Sequence, residues 1–218
     1  MKFIDKLKTL TPFSYMWFLK RNIGEAKTIL DLGCEDGRLL ELLSFGEKWQ
    51  VTGVDIYKEN VEKASRRNIF VKVIKGDVVE VSKKFVKLRK KFDVVFCSQV
   101  IEHIERKKGE QLFDLVDKLA RKRIVIGTPK GFMNQPHVFL GNNPHMHHKS
   151  GWTIEDFKNH GYKVYGIGFW PIWKEEGLAR IDNKLLFLTM TILGYIFSPI
   201  VYYFPTLGAG ILGIKQKV

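Results

Sequence analysis

The residues best equipped for chemistry sit where an apolar run breaks. The stretch ILDLGCEDGRLL, residues 29–40, sets Gly33 and Gly37 around Cys34, Glu35 and Asp36. Two glycines four apart permit a tight turn and a close approach to the backbone, and the first amides of the following helix face into that turn without partners. About twenty residues further on, VTGVDIY (51–57) presents Asp55, whose carboxylate can accept both hydroxyls of a ribose. An N-cap for the next helix is the other reading of Asp55. A pyrophosphate loop has the form Gly-x-Gly-x-x-Gly; here Glu35 and Asp36 occupy the phosphate's place and would repel it. Turn and acid together favour a ribose-bearing cofactor with no phosphate at this point.

With these residues the sequence resembles the class I S-adenosylmethionine-dependent methyltransferases. Their cofactor, S-adenosyl-L-methionine, lacks a phosphate and carries an ammonium and a sulfonium. The family's first motif, acid-x-Gly-x-Gly-x-Gly, is matched by Asp31, Gly33 and Gly37, with Glu35 in the middle glycine's place and Cys34 beside it. The resemblance implies that Asp55 binds the ribose and Ile56 lies against the adenine. In KGDVVEV (75–81) it implies that Asp77 accepts from the adenine amino group while the Val78 amide meets a ring nitrogen. In FDVVFCSQVIEHI (92–104) it puts the loop carrying Ser98 and Gln99 beside the transferable methyl. The likeness runs over residues 25–168 and is nearest in kind to the ubiquinone, menaquinone and other small-molecule methyltransferases, whose Glu-His pair is matched by Glu102 and His103. It implies an α/β, Rossmann-like fold: a mostly parallel seven-stranded sheet with helices on both faces.

Methyl transfer is an in-line displacement at a carbon that the sulfonium already activates, so alignment and exclusion of water are the main tasks. A hydroxyl acceptor must also lose a proton. His103 is the candidate base, since an unperturbed imidazole titrates near working pH; a loop cap is its other reading. Some metal-assisted relatives carry Glu-x-x-Glu-His, but here Gln99 replaces the first acid. The segment PHMHHKSGW (144–152) adds His145, His147 and His148, which with Glu102 and His103 would suffice by ligand type for zinc or iron. No diagnostic ligand spacing is present, so the expectation is no metal, with His148 and Trp152 bracing the loop before a helix at Thr153–His160.

The elements that must position these groups follow from hydrophobic pattern. Residues 28–32, 50–54, 70–74, 92–97 and 123–127 are apolar runs of strand length, separated by helical stretches at 38–45, 59–67 and 109–120. That alternation is the signature of βαβ units, whose strand C-termini share one ligand-binding edge. A chain of 218 residues suffices for one domain, expected as an N-terminal helical cap (1–24), a cofactor-binding core (25–168) and an apolar helical insertion with a last strand (169–218). Two cysteines exclude a disulfide scaffold and suit a reducing, cytoplasmic setting. Residues 185–214 carry no charged side chain. Pro199 and Pro205 interrupt this run, which is expected to fold as a helix near 183–198 and a strand near 209–216 rather than to span a bilayer.

The acceptor site is expected from Phe13–Leu19, Gly131–Ser150 and the apolar segment after 183. Their aromatic content suits a small, apolar or lipid-like acceptor, and core packing is the competing account. The net charge of +13 in this basic protein, mostly from lysine, suits a solvated face or peripheral contact with an anionic membrane better than base recognition. Nucleic acid is therefore not the expected partner. Two alternatives stand beside the enzyme: a degenerate cofactor-binding subunit, and an RNA methyltransferase that draws only on charge. The Asn-Pro-Pro-Tyr-like tetrapeptide of base amino methylation is replaced by Cys97, Ser98, Gln99 and Val100.

Overall fold

The computed structural model describes Thr9, residues 11–134 and residues 143–217. Seven strands form one sheet: β1 Thr28–Leu32, β2 Gln50–Asp55, β3 Phe70–Lys75, β4 Phe92–Ser98, β5 Ala120–Pro129, β6 Lys163–Phe169 and β7 Gly208–Gln216. Their order is β3-β2-β1-β4-β5-β7-β6. The pairings among β1 to β5 are parallel, while β7 runs antiparallel between β5 and β6. Parallel strands covered on both faces read as unbroken apolar runs, which is why the first five coincide with the runs in the sequence. The seventh lies where expected, and β6 was not anticipated.

Alternate residues along the strands feed two cores. Ile29, Val94, Phe96 and Val125 pack under α1 (Tyr15–Ile23) and α2 (Arg38–Leu43). Leu30, Val95, Ile124 and Ile126 pack on the other face, under α4 (Val78–Lys87) and α5 (Arg106–Leu119), with α3 (Lys58–Ala64) linking β2 to β3. Of the expected N-terminal cap, α1 is present, and residues 1–8 and 10 lie outside the described residues. So do residues 135–142 of the expected acceptor segment.

After α6 (Ile154–Asn159) and β6, a four-residue helix α7 (Trp170–Trp173) leads to α8, Lys184–Tyr203. The helix expected to stop at Pro199 continues through it for one more turn. Proline removes one amide from the ladder, but the last turn is held independently: Tyr202 stacks between Phe18, with ring centroids 3.7 Å apart, and Tyr165 at 4.3 Å.

Trp152 braces the loop before α6, as expected. It is fully buried, its indole N–H donates to Ile101 O at 3.2 Å and Ser150 Oγ at 2.9 Å, and the Arg106 guanidinium lies 4.0 Å over its ring. Gly109 of α5 makes room for it, since a Cβ there would come within 2.2 Å of the indole. Glycine to alanine in a helix normally stabilises by about 0.5–1 kcal/mol. Gly109→Ala is expected to reverse that sign and destabilise by about 1–3 kcal/mol through overpacking, as read by urea denaturation.

Candidate active site

The switch point of the sheet lies between β1 and β4, where the chain's progress across the sheet reverses, and crevices at such points bind ligands. The residues expected to hold a cofactor gather there. After β1 the chain turns sharply: Gly33 N–H and Cys34 N–H both donate to Val54 O of β2, at 2.7 and 3.0 Å. Gly33 has φ +76° and Gly37 φ +78°, the left-handed region that glycine enters freely. Glu35, standing for a glycine, keeps the same geometry with φ +50°. An L side chain pays a strain cost there, and Asp55 offsets it: the Glu35 N–H donates to Asp55 Oδ2 at 2.9 Å. The other oxygen of Asp55 accepts from Tyr57 N at 2.9 Å and Asn60 Nδ2 at 3.4 Å. Both readings of Asp55 thus meet in one group, which orders the turn and also stands at the end of β2.

Electrostatically the turn is a cradle of acids. Asp31 is buried, and its carboxyl is pushed well up by desolvation and then by the charge of Asp55. Glu35, open to solvent on one side, is raised by desolvation at the loop and by Asp36 and Asp55. Arg67 neutralises only the outer acids, donating to Asp36 Oδ2 at 2.8 Å and to Glu41 Oε2 at 2.5 Å. Cys34 is buried beside them, and desolvation and the neighbouring carboxylates keep its thiol protonated.

At the end of β3, Asp77 caps α4, accepting from Val79 N at 2.8 Å and Glu80 N at 3.2 Å. Desolvation pushes its pKa up, but these amides and Lys108, 3.3 Å from Oδ2, outweigh it and hold the carboxyl below its ordinary range. Val78 N is the first-turn amide that this cap does not take. Ile56 is exposed beside Asp55, where a flat ring could cover it.

The loop after β4 borders a second feature. Gln99, with φ +57°, lines a cavity of about 540 Å³ together with Tyr15, Phe18, Met133, Trp173 and Tyr195. Tyr15 Oη and Ser98 Oγ are 2.7 Å apart, and burial pushes the phenol up to about 12, so it stays protonated. Parts of all three expected acceptor segments, the second through Met133, therefore share this cavity with the cofactor edge.

Next to it lies the Glu-His pair. Glu102 is 1% exposed; its Oε2 accepts from Thr128 Oγ1 at 2.9 Å, its Oε1 has no partner, and desolvation pushes it up to about 7. The His103 ring lies edge-on to that of His148, with centroids 4.8 Å apart. Each presents Nδ1 to a backbone oxygen: His103 to His147 O at 3.2 Å and His148 to Met133 O at 2.5 Å. Carbonyls only accept, so in the neutral rings Nε2 keeps the lone pair. Desolvation, followed by His148, lowers His103 to about 4, away from the working pH on which its role as a base was expected. The candidate ligand atoms of Glu102, His103 and His148 lie within 4.8 Å of one another, a set that includes neither His145 nor His147. The sequence holds no signal for this meeting, because more than forty residues, α5 and β5 among them, separate the two histidines.

A Cβ on Gly37 would meet Phe70 at 2.5 Å, so a larger residue there would strain the turn against β3 rather than occlude a ligand. Gly33 is the tighter position, its Cβ falling 2.1 Å from Val100 Cγ2. Gly33→Ala is expected to lower affinity for S-adenosylhomocysteine about tenfold or more, equivalent to about 1.4 kcal/mol, in titration calorimetry.

Comparison with known proteins points to one kind of domain. The family model described as "Methyltransferase domain" matches residues 29–123. The mitochondrial ubiquinone biosynthesis O-methyltransferase of Schizosaccharomyces pombe is 34% identical over 115 residues, 51% of this chain and 41% of that protein. The mouse small RNA 2'-O-methyltransferase is 29% identical over 180 residues, 70% of this chain and 44% of that protein. The chain therefore spans less than half the length of either relative. In fold, a SAM-dependent methyltransferase from Archaeoglobus fulgidus matches 99% of this chain and 100% of its own, at 21% identity and a TM-score of 0.57. Four motifs at successive strand ends and a sheet with one antiparallel strand give the fold of the class I S-adenosylmethionine-dependent methyltransferases, and residues 29–123 match a methyltransferase domain.

Proposed function

We propose that the chain binds S-adenosylmethionine across the ends of β1 to β4 and transfers its methyl group to a small apolar acceptor held beside Gln99. The acidic cradle carries this reading: Asp31 and Asp55 lie on adjacent strands, both buried, desolvation and then the charge of Asp55 push Asp31 up, and a cation would relieve it. S-adenosylmethionine supplies a methyl already activated by its sulfonium. Asp31 and Glu35 would hold the cationic methionine end, Asp55 the ribose, and Asp77 with Ile56 and the Val78 amide the adenine. Tyr15, Ser98 and Gln99 then orient the acceptor, and the aromatic cavity wall excludes water. For a hydroxyl acceptor His103 stays the candidate base: its ring is uncharged at neutral pH, but a pKa lowered to about 4 makes it a weak one, so the proton would pass to it only as the forming methyl bond acidifies the hydroxyl.

The cavity supports an apolar, lipid-like acceptor, because its wall is mostly aromatic and aliphatic. The basic clusters support it too. Lys87 to Lys91 and Arg121 to Arg123 precede β4 and open β5, at the strand starts opposite the cofactor edge, so they are badly placed to feed RNA to the methyl. Methyl incorporation into RNA but not into phenolic or prenylated acceptors would move the reading to an RNA methyltransferase. Cofactor binding without turnover would move it to a partner subunit. The setting implied is cytoplasmic and peripheral to a membrane, and both cysteines are buried free thiols.

A second reading of the acceptor side has its own support. Glu102 Oε1 is a buried carboxylate oxygen without a partner, and two imidazoles with available Nε2 lone pairs lie beside it. Carbonyl-anchored histidines with a carboxylate are a fitting donor set for a divalent cation, which would polarise an acceptor hydroxyl. This weighs against the metal-free expectation from Gln99. Chelator-treated protein titrated with Mn²⁺ or Zn²⁺ in a calorimeter is expected to bind one ion and to lose that binding in Glu102→Gln. No heat in the unsubstituted protein would leave metal-free transfer with His103 as base.

For the cofactor itself the pH dependence has a definite sign. Asp31 sits above its ordinary pKa without ligand, and a bound cation lowers it, so binding releases a proton wherever Asp31 was protonated. Affinity for S-adenosylmethionine is expected to fall as pH drops through the raised titration of Asp31, by up to about tenfold per unit for each proton released. Calorimetry in buffers of different ionisation heat measures both quantities. A profile unchanged in Asp31→Asn would remove that residue as the cation's partner.

A further inference from the structure

Helix α8 is built inside out. Its polar and small positions, Thr191, Gly194, Tyr195 and Ser198, face the protein and line the cavity beside Gln99. Tyr195 Oη donates to Pro12 O at 2.7 Å, and Ser198 Oγ donates to Phe13 O. The outward positions are apolar: Leu185 is 74% exposed, Ile196 60% and Tyr203 66%, with Leu188, Ile192 and Ile200 between them. On a wheel of 3.6 residues per turn the exposed apolar positions cover more than half the circumference, the reverse of a surface helix facing water. Even the hydroxyl of Thr189, within that arc, turns back onto the helix, donating to Leu185 O at 2.9 Å. Internal satisfaction of this kind is what a hydrocarbon environment demands.

We propose that α8 lies in the interfacial plane of an anionic lipid bilayer and that the acceptor enters the cavity past this helix from the lipid. The inference rests on the acceptor cavity of the proposed function and adds the phase that supplies it. A partner helix would need only a stripe of contacts, whereas lipid covers whatever arc is offered, and here that arc is broad. Lys184, exposed at the start of α8, offers a cation to an anionic leaflet at that end of the helix. The helix has the length to span a bilayer but is tied down at its far end. Val201 and Tyr202 are buried, and the chain passes at once into β7 between two strands of the sheet. Crossing would require those side chains to leave the core.

Flotation with phosphatidylcholine vesicles, with and without phosphatidylglycerol, tests this. The full chain is expected to float with the anionic vesicles and to be released by salt. Ile192→Asp combined with Ile196→Asp, at two exposed positions that do not line the cavity, should reduce partitioning at least about tenfold. Its melting curve and calorimetric affinity for S-adenosylhomocysteine should be unchanged. Failure of the unsubstituted chain to float would overturn the proposal. So would self-association in sedimentation that the same pair abolishes, which would give the face to a second copy, or release only by detergent, which would make α8 a span. A failed cofactor reading shows in the calorimeter alone, so the two failures are distinguishable.

Discussion

One carboxylate holds the candidate active site in shape. Asp55 ends β2, and with one oxygen on the amide of Glu35 and the other on that of Tyr57 it ties the turn after β1 to the turn after β2. Everything at the cofactor edge is placed relative to that tie: the left-handed backbone at Gly33, Glu35 and Gly37, and the start of α2. The arrangement has an electrostatic cost. The same carboxylate that satisfies two amides pushes up Asp31 on the next strand. Burial beside Asp55 thus makes Asp31 easier to protonate than an ordinary aspartate.

Much of this was legible in the sequence because it depends on local chemistry. Glycines flanking an acid pair, an aspartate at the end of an apolar run and a second aspartate before α4 need only chain direction to be brought to one edge. What escaped depends on distance or context. In β6, KVYGIGF, two glycines break the pattern, and only part of the strand is buried. Pro199 reads as a helix stop, yet stacking of Tyr202 on residues far away in sequence carries the helix beyond it. His148 reaches His103 only through the loop that Trp152 secures, and the environment of His103, rather than its type, decides its protonation.

Charge is divided between the two ends of the sheet. Acids collect at the strand C-termini, and the lysine and arginine clusters collect where β4 and β5 begin, with Asp93 between Arg121 and Lys122 at 3.9 and 3.6 Å. The cofactor edge and the basic edge therefore serve different partners. Only the acidic one opens onto the cavity, and Gln99 is the residue that both the cofactor edge and the cavity share.

The position of β7 has a further consequence for the order of assembly. Although β6 is made earlier, its only neighbour in the sheet is β7, which lies between it and β5. Until the residues from Gly208 onward leave the ribosome, β6 has no strand to pair with, and β5 presents an open edge of amides and carbonyls. The most apolar helix among the described residues emerges in that same interval. Nascent chains are thus most prone to sticking just before the last strand inserts, and the sheet's final step joins residues far apart in sequence, the slow kind of contact.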